Sequence, residues 1–180
     1  MKKLIIASYL LAIVLANVVT AALDPIVWGN LIIPAGSFLI GATFILRDFV
    51  QRAIGRRRTY MAIAVAMLLS AATSWLLGDT LWITAASAVT FLCSETTDTE
   101  IYTRLRLPLS LRVLYSGIVG GIVDSGIFVI IGLSPLGAGI VPWNMVGYAI
   151  AGQIVIKLAM QGVGALMIHL AAKQGFAVKA

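Results

Sequence analysis

The chain has 180 residues, of which 61% are hydrophobic and 11% charged, and its mean hydropathy is +1.03. Soluble domains run near 25% charged residues, so a water-soluble enzyme or binding domain is excluded and a membrane protein is indicated. The formal net charge of +6 comes from basic residues standing between apolar runs, which points to orientation in a bilayer and away from nucleic acid.

Six apolar segments follow one another, and each is long enough, at roughly 20 residues per crossing, to be predicted as a transmembrane helix. The first runs from about Leu4 to Leu23 behind Lys2 and Lys3. It also resembles a signal peptide, with small residues around Val19 to Ala22, but a signal core is usually 7–15 residues, so a retained helix is expected. Turn chemistry at Asp24-Pro25 and Trp28-Gly29-Asn30 leads to the second segment, Ile32 to Val50, with Pro34 expected in its first turn. Gly55 precedes the third, Thr59 to Leu77; Gly78-Asp79 precedes the fourth, Leu81 to Leu105; Pro108 precedes the fifth, Arg112 to Leu133. Ser134-Pro135-Leu136-Gly137 leads to the sixth, Trp143 to Ala172. No period-2 barrel pattern interrupts them. The expected fold is therefore an all-α integral membrane bundle of six helices, forming a single domain over residues 1–180.

Twelve of the 13 Lys and Arg residues flank the even-numbered connections and the two ends. They are Lys2 and Lys3; Arg47, Arg52 and Arg56 to Arg58; Arg104, Arg106 and Arg112; and Lys173 and Lys179. The opposite loops carry only Asp24 and Asp79. Both termini are therefore expected on the cytoplasmic side.

Ionisable groups at bilayer depth cost several kcal/mol and face a cavity, a partner or a substrate route. Counting about 1.5 Å per residue, Glu95, Asp124 and Lys157 all fall near mid-depth, with Asp98 one turn from Glu95 and Asp48 nearer the cytoplasm. Asp124, with Ser125 beside it, and Lys157 can form a buried ion pair, or both can line an internal site together with Glu95 and Asp98. The remaining acids then outnumber the deep base, and a substrate, an ion or a proton is expected to match them. Glu100 is read as a wetted helix-end residue paired with Arg104 at i+4. The stripes Gly117-xxx-Gly121, Ser116-xxx-Gly120, Ser37-xxx-Gly41 and Ala12-xxx-Ala16 allow close helix approach; the last is also a candidate docking face for a partner. Asn17, Gln153 and Gln161 are candidates for bonds between helices.

Catalysis is disfavoured. The only histidine, His169, comes near the end of the last helix, Ser116 lacks a Gly-x-Ser context, and Val123 replaces the glycine expected before an intramembrane catalytic aspartate. No phosphate loop or metal-ligand cluster occurs, and the single Cys93 permits no disulfide framework. No cofactor is expected.

Asn17, the run Gly41 to Gly55 containing Asp48, Gln51 and Arg52, the run Ser94-Glu95-Thr-Thr-Asp98 to Tyr102, Ser116 to Gly121 with Asp124-Ser125, and Lys157 resemble, in order and spacing, the VUT (vitamin uptake transporter) family of queuosine-precursor transporters. The resemblance implies a fold similar to the substrate-binding subunits of energy-coupling-factor transporters, in a prokaryotic cytoplasmic (inner) membrane. It also implies import of a 7-deazaguanine base such as 7-cyano-7-deazaguanine. The expected site is Glu95, Asp98, Asp124, Lys157, Asn17, Asp48, Arg52, Phe91, Tyr102 and Ser125, with Glu95 or Asp98 accepting from the guanine-like edge and Phe91, Tyr102 or Phe128 stacking on the ring. The alternative is a binding subunit for another vitamin-like molecule, working with a separate energising partner. Two positions depart from the family pattern: Arg47 stands where a small hydroxyl residue is usual, and Glu95 where glutamine is common.

Overall fold

The computed structural model describes residues 2–173, so Lys179 of the sequence reading lies outside the described residues. Six long helices are present: α1 (Lys2–Ala22), α2 (Ser37–Ile54), α3 (Arg56–Leu76), α4 (Leu81–Arg104), α5 (Leu109–Ile127) and α6 (Trp143–Lys173). Helix α5 continues as a π-helical stretch over Phe128–Leu133. Four of these, Lys2–Ala22, Arg56–Leu76, Leu109–Leu133 and Trp143–Lys173, are long and apolar enough to cross a membrane. The other two, α2 and α4, carry Arg47, Asp48, Glu95 and Asp98 on faces turned into the bundle.

The second helix begins later than expected. Leu31–Ile33 (β2) pairs antiparallel with Ile26–Trp28 (β1), in the register Ile26 to Ile33 and Trp28 to Leu31. The hairpin turns at Gly29-Asn30, where Gly29 has φ +59°, the left-handed conformation that a two-residue hairpin turn demands. Pro34 therefore lies ahead of α2 rather than in its first turn, and its carbonyl accepts from the Ser37 N–H at 2.9 Å. Among the described residues the regular structure is accordingly all helical apart from this hairpin. Its two ends are called here the hairpin end and the arginine end, the latter holding Arg56 to Arg58, Arg104 and Arg106.

Helices α2 and α3 are joined by Gly55 alone, at φ +82°, so Arg56 to Arg58 open α3 instead of forming a loop. Helix α5 packs along α4 and α6, α1 along α2 and α3, and α2 against α6. Small residues set these distances: a Cβ on Gly41 would come within 2.8 Å of the Met160 Cβ on α6, and one on Gly121 within 3.3 Å of the Lys157 Cβ. Ala12 and Ala16 are buried in the bundle, which removes them as a docking face. Tyr9, Ile13, Val50, Ile63, Ala66 and Phe91 form one core where α1 to α4 meet. Leu4, Leu11, Leu15, Leu68, Leu76, Ile122, Leu166 and Met167 are exposed and provide an apolar perimeter for lipid.

At the hairpin end of α5 the wider helical turn takes the Ser134 N–H to the Val129 carbonyl, at 2.9 Å. The Ile131 carbonyl accepts instead from the indole Nε1 of Trp82 on α4, at 2.7 Å. The π-helical turn is thus held by a side chain from the neighbouring helix.

Candidate functional site

A cavity of about 290 Å³ runs from the hairpin end into the bundle. Its mouth is formed by Leu23, Pro25, Pro34, Asp79 and Ile140, and its deeper walls by Asn17, Ser70, Thr90, Phe91 and Phe128. Asp124, Gln153 and Lys157 close it at the bottom. Contributions come from all six helices and from the segment after the hairpin, so the chamber lies between helices, where bundle ligands are held.

The floor is an ordered ion pair. Lys157 Nζ donates to Asp124 Oδ2 at 2.6 Å, to Ser125 Oγ at 2.9 Å and to Gln153 Oε1 at 3.1 Å. Those three acceptors use all three ammonium protons. Ser94 Oγ on α4 donates to the other oxygen, Asp124 Oδ1, at 3.1 Å. Lys157 is 2% exposed and Asp124 13%, so the aspartate is the member of the pair that meets the cavity.

Other lining groups retain bonding capacity. Gln153 Nε2 and Thr90 Oγ1 are buried without a hydrogen-bond partner. Asn17 spends its amide on the Ser70 carbonyl and hydroxyl, at 3.0 and 3.1 Å, so its Oδ1 is the acceptor left over. Two donors, an acceptor and a partly open carboxylate thus face one space with two phenyl rings. The charged residues of the lining are Asp79, Asp124 and Lys157, a formal excess of one negative charge, which disfavours anionic occupants.

Beneath the floor lies a second group that does not reach the cavity. Arg47 of α2 is wholly buried between three carboxylates: NH1 is 2.9 Å from Asp48 Oδ1, Nε is 3.3 Å from Glu95 Oε2, and NH2 pairs with Asp98. NH1 also donates to Gln51 Oε1 at 3.1 Å, and Gln51 donates to the Thr103 hydroxyl at 2.8 Å. Tyr9 of α1 turns its hydroxyl toward Glu95, and Ser116 of α5 turns its own toward Asp98.

Of the ten residues expected at the site, Asn17, Phe91, Asp124 and Lys157 line the cavity, and Ser125 supports Lys157 from behind. Asp48, Glu95 and Asp98 belong to the Arg47 group, so the expected contact between a ligand edge and Glu95 or Asp98 is not present in this arrangement. Tyr102 is not a cavity ring. It stands at the arginine end with the Arg112 guanidinium 4.1 Å from its ring centroid, and its carbonyl accepts from Arg112 Nε at 3.1 Å. Arg52 also lies away from the cavity lining. Glu100 pairs with Arg104 at 3.3 Å, as expected, and with Arg56 and Tyr60 as well.

The residue missed from the sequence is Arg47, counted there among the flanking basic residues. Its signal was its position immediately before Asp48, only a short way inside α2. Arg47 and Glu95, the two positions expected from the resemblance to differ from the family's usual residues, are partners in space, Nε to Oε2 at 3.3 Å.

A family model described as "Putative vitamin uptake transporter" matches residues 34–171, a stretch that begins just after the hairpin and takes in both charged groups, α2 to α5 and all but the last two residues of α6. The chain belongs to the vitamin uptake transporter family. It is a multi-pass membrane protein of a transporter family, and a small-molecule substrate and a lipid bilayer are its partners in that role. No curated protein and no solved structure matches the chain.

Proposed function

We propose that this transporter imports a small, flat, uncharged or cationic heterocycle, and that a 7-deazaguanine base such as 7-cyano-7-deazaguanine is the substrate. The observation that carries the reading is the cavity floor, where Asp124 meets the chamber and Gln153 Nε2 waits without a partner. A guanine-like edge presents adjacent N–H donors, which a carboxylate accepts better than a neutral group does. A ring carbonyl or nitrile accepts from Gln153 or Thr90. Phe91 and Phe128 supply apolar surface for the faces of the ring. The volume of about 290 Å³ falls at the small end of ligand chambers, roughly 300–1,000 Å³, which suits a bicyclic base and not a nucleotide.

In this reading all six helices span the bilayer as one domain, in the manner of the binding subunits of energy-coupling-factor transporters. The arginine end lies in the cytoplasm of a prokaryotic cell. The cavity then opens to the outside, the side from which an importer is loaded. Binding of 7-cyano-7-deazaguanine, purines and water-soluble vitamins to the purified protein tests the substrate. Preference for the deazaguanine that is lost in Asp124→Asn is the expected result, and preference for an unrelated vitamin would replace the assignment. Uptake in a host lacking energising subunits separates a self-sufficient carrier from a subunit that needs a partner.

A further inference from the structure

Asp124, Phe128 and Leu133 all line the cavity, and their spacing is four residues and then five. A regular α-helix turns by about 100° per residue, which stacks residues four apart and would carry Leu133 about 140° away from Phe128. The residue stacked on Phe128 would then be Gly132. The π-helical stretch over Phe128–Leu133 closes its turn between i and i+5 instead, and Leu133 comes round to the cavity face. Gly132 is buried toward α4, where a Cβ would lie 3.2 Å from the Ala86 Cβ. One extra residue in a single turn thus puts a leucine side chain where the wall beside Phe128 would otherwise be bare backbone.

The sequence supplies the reason for the wider turn. Pro135 stands four residues after Ile131, the place from which an α-helix would send an N–H to the Ile131 carbonyl. Proline has no such proton, and its ring clashes with the carbonyl four residues back. The helix end opens, and its carbonyls find other donors. Val129 accepts from the Ser134 N–H at 2.9 Å, Gly132 from the Ala138 N–H at 3.0 Å and Leu133 from the Val141 N–H at 2.8 Å; Ile130 accepts from the Ser134 hydroxyl at 2.5 Å. The Ile131 carbonyl takes its donor from another helix, Trp82 Nε1 of α4, at 2.7 Å. Space for that bond is kept by Gly137, where a Cβ would strike both the Ile131 carbonyl oxygen and the indole nitrogen. Trp82 does not itself line the cavity.

We propose that Trp82 is a positioning residue of the substrate chamber: its indole N–H fixes the π-helical turn in the register that sets Leu133 beside Phe128, and so decides how closely the wall fits a bound ring. The assignment rests on reading the cavity as the substrate chamber; the register itself does not depend on which substrate enters. Without the indole N–H the Ile131 carbonyl has no donor, and the turn loses the bond that ties it to α4. Where Pro135 also gives way to a residue with an N–H, the α-helical register becomes the one in which that carbonyl is satisfied, and Leu133 turns away from the cavity.

The register is read by thiol accessibility in the purified full chain in lipid nanodiscs, with Cys93→Ala removing the native thiol. Leu133→Cys should react with a positively charged methanethiosulfonate, and adding Trp82→Phe together with Pro135→Ala should abolish most of that reactivity. Damage to the fold would raise the rate, so a fall reports the turn. No reaction at Leu133→Cys, or an unchanged rate in the combined variant, overturns the proposal. Binding of 7-cyano-7-deazaguanine gives the second arm. Trp82→Phe and Leu133→Ala should each weaken it about tenfold, roughly what burying two methylene groups is worth, and the two together should weaken it no more than either alone. Additive losses would make Trp82 a brace with no part in the wall and would overturn the proposal as well. Protein that shows the expected reactivity but does not bind 7-cyano-7-deazaguanine supports the register and defeats the substrate reading instead.

Discussion

Lys157 and Asp124, 33 residues apart in sequence, meet at 2.6 Å in the middle of the bundle, and their contact is the bottom of the chamber that opens at the hairpin end. The pair is both a brace between α5 and α6 and the most strongly polar feature a substrate would meet. Its two roles can be separated by substitution.

Lys157→Met leaves Asp124 buried without its cation, and Asp124→Asn leaves Lys157 without its anion. Loss of one member of a buried pair typically costs about 3–5 kcal/mol. Each single variant should therefore lose uptake and thermal stability together. The double variant should recover much of the stability and none of the uptake, as read by melting in detergent beside a transport assay. Normal uptake in either single variant would remove the pair from the site.

Gln153→Leu deletes the unpartnered amide and one acceptor of Lys157 at once, whereas Gln153→Glu keeps an acceptor for Lys157, loses the amide donor and sets a second carboxyl group beside Asp124. If the amide binds substrate, Gln153→Leu should weaken binding about tenfold, roughly the worth of one neutral hydrogen bond at about 1.5 kcal/mol, and Gln153→Glu should not restore it. Wild-type affinity in Gln153→Leu would assign the glutamine to structure alone.

Arg47→Ser strips the cation from three buried carboxylates and should be poorly folded. Adding Glu95→Gln, which removes one of the stranded charges, should restore part of the lost stability. The two positions touch at 3.3 Å, so a double-mutant cycle should show a coupling of about 1–3 kcal/mol. Additive effects would mean that the contact carries no energy.

Gly41→Ala places a methyl 2.8 Å from the Met160 Cβ, closer than side chains tolerate, so α2 and α6 must separate. The expected cost is about 1–3 kcal/mol, seen as a lower melting temperature. An unchanged melting temperature would show that the two helices yield easily at this crossing.

The six helices were legible because apolar length and basic flanks survive any detail of packing. The hairpin was not, since Leu31, Ile32 and Ile33 extend the apolar run of α2 and only Gly29-Asn30 marks the turn. The Asp124–Lys157 pair was legible because both residues lie deep on helices with few other polar groups. Arg47 was hidden for a different reason. Seven residues from the end of α2 at Ile54, it sits roughly 10 Å inside that end, a depth at which a long side chain can turn either way. The direction it takes is set by Glu95 and Asp98 of α4, which no local spacing in α2 reveals. The same blindness assigned Glu95 and Asp98 to the ligand, for their depth was right and their facing partner was unseen.

Ser94 and Glu95 are consecutive, and consecutive side chains on a helix diverge by about 100°. The first touches Asp124 and the second touches Arg47, so α4 works as a two-toothed cam between the chamber above and the charges below. A substitution that turned α4 about its axis would therefore disturb the chamber floor and the Arg47 group together.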